Sequence, residues 1–162
     1  PFLTGGSMIT RVGLQDAEYM PAPIKFEAGT QRVSQAVAFA AAVRYLQHLG
    51  MENVEAWEHE LGTRLVEGVQ KIDGVRLLGP TDPTKRTGLV ALAIEGVHPH
   101  DVGQLLDTQG IAVRVGHHCA QPLHRCAGVT ASTRASTYIY NTTEDVDAFL
   151  KALAEVRPYF GF

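Results

Sequence analysis

Apolar residues recur every three or four positions from Val54 through Trp57, Leu61, Leu65 and Val69 to Ile72. That spacing predicts an amphipathic helix starting near Met51, with Gly74 as its stop. Glu52, Glu55 and Glu58 fall near its N-terminal end, where the helix dipole favours negative charge. The pattern then shortens. "VRLL" (75–78) reads as a short strand, followed by a Gly-Pro turn and the polar loop "TDPTKRT". "LVALAI" (89–94) reads as a buried strand. Pro99 suits a helix start, and Val102, Leu105 and Leu106 line that helix as far as Gly110. "IAVRV" (111–115) is a third strand, and the aromatic and β-branched "RASTYIY" (134–140) a fourth. "TTEDVDAFLKALAEV" closes the chain as a helix capped by Thr142 or Thr143, with Val146, Phe149, Leu150 and Leu153 inward. The sum is a two-layer α/β domain over 51–162.

Residues 1–50 read differently. Gly5, Gly6, Gly13, Pro21, Pro23 and Gly29 leave no clear helix in residues 1–30, an irregular segment that needs something to lie against. Residues 33–49, "VSQAVAFAAAVRYLQHL", are apolar on nearly every face, which predicts a helix buried on several sides. Together with the abrupt start "PFLTGGSMI", this piece reads as part of another, larger domain.

Composition narrows the function. Of the 162 residues, 45% are hydrophobic, enough for a normal core. A net charge of -3 leaves no basic excess to meet phosphates, which argues against a nucleic-acid surface. No apolar run approaches the ~20 residues of a membrane helix. Two cysteines make no disulfide framework, and the chain reads as cytoplasmic.

The chemistry is concentrated in "RVGHHCAQPLHRC" (114–126), which holds both cysteines and three of the seven histidines. His117, His118, Cys119, His124 and Cys126 are all suitable zinc ligands, but no C-x2-C knuckle is present and adjacent residues converge poorly on one ion. A reactive thiol explains more: Arg114, His117 and His118 surround Cys119, and nearby cations favour the thiolate. Gly116, Ala120 and Pro122 suggest a tight presenting loop. A chance cluster of exposed polar residues is the bland alternative. Cys126 reads as an ordinary free cysteine, His48 and His59 as solvated helix residues, and His124 carries no role.

"RVGHHCAQPL" followed by "RASTYIYNTTEDVD" resembles the active-site region of the group II, SufS-type cysteine desulfurases, in the class V aminotransferase branch of the pyridoxal-phosphate (PLP) enzymes. "GGSMI" (5–9), "KFEAGTQ" (25–31) and "HPHDVGQLLDTQGIAVR" (98–114) agree. The resemblance implies an α/β chain: the two-layer C-terminal small domain of a PLP fold-type I enzyme, 51–162, and a remnant of the large PLP domain with its connecting helix, 1–50. The family's PLP lysine lies in a Ser-x-His-Lys motif, and Lys25, Lys71, Lys85 and Lys151 all lack that context. The resemblance therefore implies the C-terminal part of a desulfurase that is inactive alone. Gln31 stands where the family usually has proline.

The resemblance also implies roles. L-cysteine is converted to L-alanine, with PLP as electron sink and Cys119 as the nucleophile that becomes a persulfide. Arg134 holds the substrate carboxylate, with Arg114 beside it. Gly29 and Thr30 meet the PLP phosphate of a homodimer partner. His117 and His118 tune the thiol or relay protons. His100 contacts the zinc of a SufU-type sulfur acceptor in iron–sulfur cluster assembly, the alternative acceptor being of the SufE type; no metal ligands of the chain's own are expected. Other readings are a stand-alone persulfide carrier, a zinc-binding interaction domain, or, within the fold, a selenocysteine lyase or aminotransferase.

Overall fold

The structure is a computed structural model that describes residues 1–162. The chain divides into two compact units, 1–49 and 50–162.

In the first unit, β1 (Ile9–Val12) and β2 (Ala17–Tyr19) form an antiparallel hairpin with Val12 opposite Ala17. The connecting turn closes through the Gly13 N–H on the Asp16 carbonyl at 2.8 Å. Arg11 clamps the hairpin by donating to Glu18 at 2.9 Å and to Asp16 at 2.8 Å. The segment expected to be irregular thus holds two strands. The mixed glycine and proline content hid them, because each strand is only three or four residues long. A 3-10 turn at Ile24–Phe26 precedes α1 (Val33–Leu49). The helix has the expected bounds, yet none of its residues is buried, and Phe39 and Val37 are 72% and 64% exposed. A hairpin and one 3-10 turn supply no layer on which an all-round apolar helix can pack.

The second unit is one four-stranded antiparallel sheet with its three longest helices packed on one face. It begins with α2 (Met51–Gln70) and continues through β3 (Val75–Leu78), β4 (Leu89–Ile94), α3 (Pro99–Thr108), β5 (Arg114–Gly116), α4 (Gln121–Cys126), β6 (Ser132–Ser136), α5 (Thr143–Ala154) and α6 (Val156–Phe160). Strand order is β3-β4-β6-β5. Val90, Leu92 and Ile94 alternate into the core against Leu61, Leu65 and Val69 of α2, Val102 and Leu106 of α3, and Val146, Phe149 and Leu153 of α5. The strand is buried as its sequence predicts on this face, and its other face carries the half-buried Leu89, Ala91 and Ala93. Packing is close where small residues allow it. A Cβ on Gly62 of α2 would lie 2.9 Å from the Thr87 carbonyl oxygen.

Two strands differ from the expected bounds. Residues 111–113 lie outside the sheet, because the Ile111 N–H closes the end of α3 on the Leu106 carbonyl at 3.0 Å. β6 ends at Ser136, because Tyr138–Asn141 turn, with the Asn141 side chain accepting from the Tyr138 N–H at 2.9 Å. The cap of α5 is Thr142: its hydroxyl accepts from the Asp145 N–H, and Asp145 accepts from the Thr142 N–H at 3.0 Å.

Candidate active site

The sheet face turned away from α2, α3 and α5 carries the polar residues. In β6, Thr133 and Ala135 alternate with Ser132 and Arg134. The register sets Arg134 opposite Ala91 of β4 on one side and opposite Arg114 of β5 on the other. Cross-strand partners have Cβ atoms about 4.5–5.5 Å apart, so two guanidinium stems leave the sheet side by side. Like charges directly opposite are destabilising unless an anion lies between them. Arg134 Nε is buried without a hydrogen-bond partner. Such a donor pair suits a carboxylate, which accepts bidentate, charge-assisted bonds.

β5 delivers the chain from Arg114 to the thiol. Gly116 takes φ +121, a left-handed value open to glycine. His117 to Ala120 then form a tight turn, the Ala120 N–H donating to the His117 carbonyl at 2.8 Å. Both central residues, His118 and Cys119, have positive φ, 50 and 58. Non-glycine residues in this region each cost on the order of 1–3 kcal/mol and persist only where their surroundings over-determine them. Cys119 is exposed and free, as is Cys126. The expected presenting loop is followed by a short helix, α4, held over this sheet face where Arg76 of β3 donates to the Ala127 carbonyl at 3.0 Å.

Beneath the turn lies a polar group that the pattern of residues did not reveal. The Ser132 hydroxyl sits 3.1 Å from His118 Nε2 and 2.9 Å from His124 Nε2. His124 Nδ1 is 2.9 Å from the Ala120 carbonyl. His124 and Ser132 are both buried. Burial, reinforced by the Arg134 charge, holds His118 below its ordinary imidazole value near 6.5. The ring of His117 meets that of His124 edge-on at 6.1 Å.

Arg114, Arg134 and His118 are thus gathered at one sheet face, and Cys119 follows His118 in the turn. His100 lies elsewhere, exposed in the first turn of α3, stacked on His98 with ring centroids 5.1 Å apart. His98 caps that helix, its Nδ1 accepting from the His100 N–H at 3.3 Å. Gly29 and Thr30 belong to the first unit. Gly29 has φ +83 and open space where a Cβ would stand. Gln31 reaches back toward the Gly29 carbonyl at 3.5 Å. The first turn of α1 holds no acidic residue. A hydroxyl beside an acid-free helix start fits a phosphate. No group of three or more His, Cys, Asp or Glu side chains is placed to hold a metal ion, and no helix is long and apolar enough to cross a membrane.

A small antiparallel α/β unit with paired arginines beside a strained, exposed cysteine defines the class: the corresponding portion of a PLP fold-type I enzyme, matching solved cysteine desulfurases. The family profile described as Aminotransferase class-V matches residues 1–149, and the chain belongs to that family. It is 51% identical over 99% of its length to Probable cysteine desulfurase 2 of Mycobacterium leprae. It is 47% identical, again over 99% of its length, to Probable cysteine desulfurase of Streptomyces coelicolor. The chain spans 38% of each of these curated relatives. Among solved structures it is similar to the apo cysteine desulfurase of Thermococcus onnurineus, with TM-score 0.84, 38% identity, and coverage of 95% of this chain and 38% of that one. It is also similar to the cysteine desulfurase CsdA (S-sulfonic acid) of Escherichia coli, with TM-score 0.85, 35% identity, and coverage of 97% and 38%.

Proposed function

We propose that this chain is the Cys119-bearing part of a SufS-type, PLP-dependent cysteine desulfurase. Residues 1–50 belong to the large PLP-binding domain and 51–162 are the small domain. The observation that carries the reading is the cross-strand Arg114–Arg134 pair beside the turn that exposes Cys119. Relatives named as cysteine desulfurases, 51% and 47% identical over 99% of the chain, support it.

In this reading Arg134 and Arg114 take the carboxylate of L-cysteine, fixing the amino acid so that its sulfur faces the turn. The Cys119 thiolate attacks that sulfur. A sulfur–sulfur bond forms, the substrate carbon–sulfur bond breaks, the bonding pair stays on carbon and a proton completes alanine. Cys119 is left as a persulfide. PLP, when bound, supplies the electron sink for this cleavage. Gly29 and Thr30 would hold its phosphate across a homodimer, and none of Lys25, Lys71, Lys85 and Lys151 stands in the Ser-x-His-Lys context of the lysine that would bind it. His118, kept neutral, serves as a proton acceptor beside the thiol. The persulfide passes to an acceptor in the cytoplasm for iron–sulfur cluster assembly. His100, exposed at the start of α3, serves as ligand to the zinc of a SufU-type acceptor.

The test is alanine release from L-cysteine by the full-length protein. Cys119→Ala is expected to abolish it and Cys126→Ala to leave it intact. Turnover by Cys119→Ala would refute the reading.

A further inference from the structure

Sequence pattern alone carries no role for His124 and no signal at Ser132. His124 has unusual connections. Its Nδ1 meets the Ala120 carbonyl at 2.9 Å, and its Nε2 meets the Ser132 hydroxyl at 2.9 Å. The same hydroxyl meets His118 Nε2 at 3.1 Å. Ala120 and His118 are the residues on either side of Cys119. We infer that His124 is a positioning residue for the Cys119 thiol, holding both of its chain neighbours, Ala120 directly and His118 through Ser132. This rests on the reading of Cys119 as the nucleophile.

The direction of each bond follows from donor chemistry. A carbonyl only accepts, so His124 Nδ1 carries a hydrogen and donates to Ala120. The other nitrogen of a neutral His124 then accepts from the Ser132 hydroxyl. Ser132 has one hydrogen to give, so its oxygen accepts from His118 Nε2–H. The chain of bonds leaves His118 Nδ1 as the unprotonated nitrogen in the residue next to the thiol. It also answers the strain at the turn. His118 and Cys119 both hold positive φ, a conformation that relaxes unless it is tied down. One buried imidazole on α4 ties it from both ends, and α4 is itself fastened to the sheet by Arg76 on the Ala127 carbonyl at 3.0 Å. A core histidine that merely satisfied its own hydrogen bonds would need neither the link to His118 nor a place under the reactive residue.

The experiment uses the full-length holoenzyme with His124→Leu, His124→Gln, Ser132→Ala and Cys119→Ala. Ser132→Ala removes one oxygen and guards against a His124→Leu protein that fails to fold. The readouts are kcat and KM for L-cysteine, and the rates of iodoacetamide alkylation at Cys119 and, as internal control, Cys126. Loss of one or two neutral hydrogen bonds that hold the reacting geometry is expected to lower kcat roughly tenfold, with KM within about twofold. Alkylation of Cys119 slows several-fold while Cys126 is unchanged. His124→Gln, whose amide oxygen can accept from Ser132, recovers most of the loss. Wild-type kcat in both Ser132→Ala and His124→Leu, with Cys119→Ala inactive, overturns the inference and leaves the Cys119 reading standing. Equal losses at both cysteines with a lowered melting temperature and no recovery by Gln make His124 a structural residue only, and also overturn it. Turnover by Cys119→Ala overturns the underlying reading and the inference together.

Discussion

Replacing Arg134 with Met separates stability from function in opposite directions. Arg134 and Arg114 face each other across β6 and β5, and Arg134 Nε is buried without a partner. Like charges directly opposite in a sheet cost about 0.2–1 kcal/mol. A buried unsatisfied donor costs about 1–3 kcal/mol. Met keeps the apolar stem that packs on the sheet and removes both costs. Arg134→Met is therefore expected to leave the 162-residue chain as stable as the wild type or more so, by on the order of 1 kcal/mol, which is about 2–4 °C in melting temperature. Binding moves the other way. Removing one partner of a charge-assisted pair with a carboxylate costs about 2–4 kcal/mol, or roughly 30- to 1,000-fold in kcat/KM. The assay pairs thermal unfolding with alanine formation by the full-length protein. A third readout follows from His118, whose proton affinity the Arg134 charge helps to lower. In Arg134→Met its titration shifts upward. A variant that lost stability yet kept wild-type kcat/KM would refute the anion-site argument and make Arg134 a structural arginine.

Gly62→Ala brings a Cβ to 2.9 Å from the Thr87 carbonyl oxygen, a clash with backbone. It is expected to lower stability by about 1–2 kcal/mol in denaturant unfolding, since overpacking outweighs the better helix propensity of alanine; a gain in stability would contradict the close α2–β4 approach. Because the folded value of His118 lies below its unfolded value near 6.5, the unfolded chain takes up the proton first as pH falls. The stability tied to neutral His118 is present above that value and is lost as pH falls through it toward the folded value. Denaturant midpoints should thus decline across that window in the wild type and less so in His118→Gln; identical profiles would contradict it. His100→Ala is expected to spare cysteine turnover and to remove stimulation by a zinc-containing acceptor, measured as turnover with and without that acceptor; full stimulation would point to a SufE-type partner.

Much of the second unit was legible because its period is strong. The run from Val54 to Val69 repeats every three or four residues, and its Leu61, Leu65 and Val69 share the core with Val90 and Leu92. Pro99 and Thr142 marked helix starts through chemistry that works locally. The hairpin of the first unit was not legible, because strands of three or four residues show no period among glycines and prolines. Residues 111–113 differ for another reason: the β-branched Ile111 and Val113 serve the core from outside the sheet. At the site, the residues of one stretch, Arg114 to Cys119, were readable in order. The facing of Arg114 and Arg134 was not, since register depends on pairing between distant segments. Nor was the Ser132 hydroxyl between two histidines. A serine on a strand gives no signal, and a histidine at position 124 says nothing until α4 folds it back under the turn. The exposed apolar face of α1 is the converse case: the sequence demanded neighbours that its own unit does not supply.

The most direct measurement is mapping of the sulfur itself. The full-length protein is incubated with L-cysteine, trapped with an alkylating agent, digested and read by mass spectrometry. The account predicts one added sulfur atom on the peptide carrying Cys119, and none on that of Cys126. An added sulfur on Cys126 alone, or on neither cysteine while alanine accumulates, would contradict it.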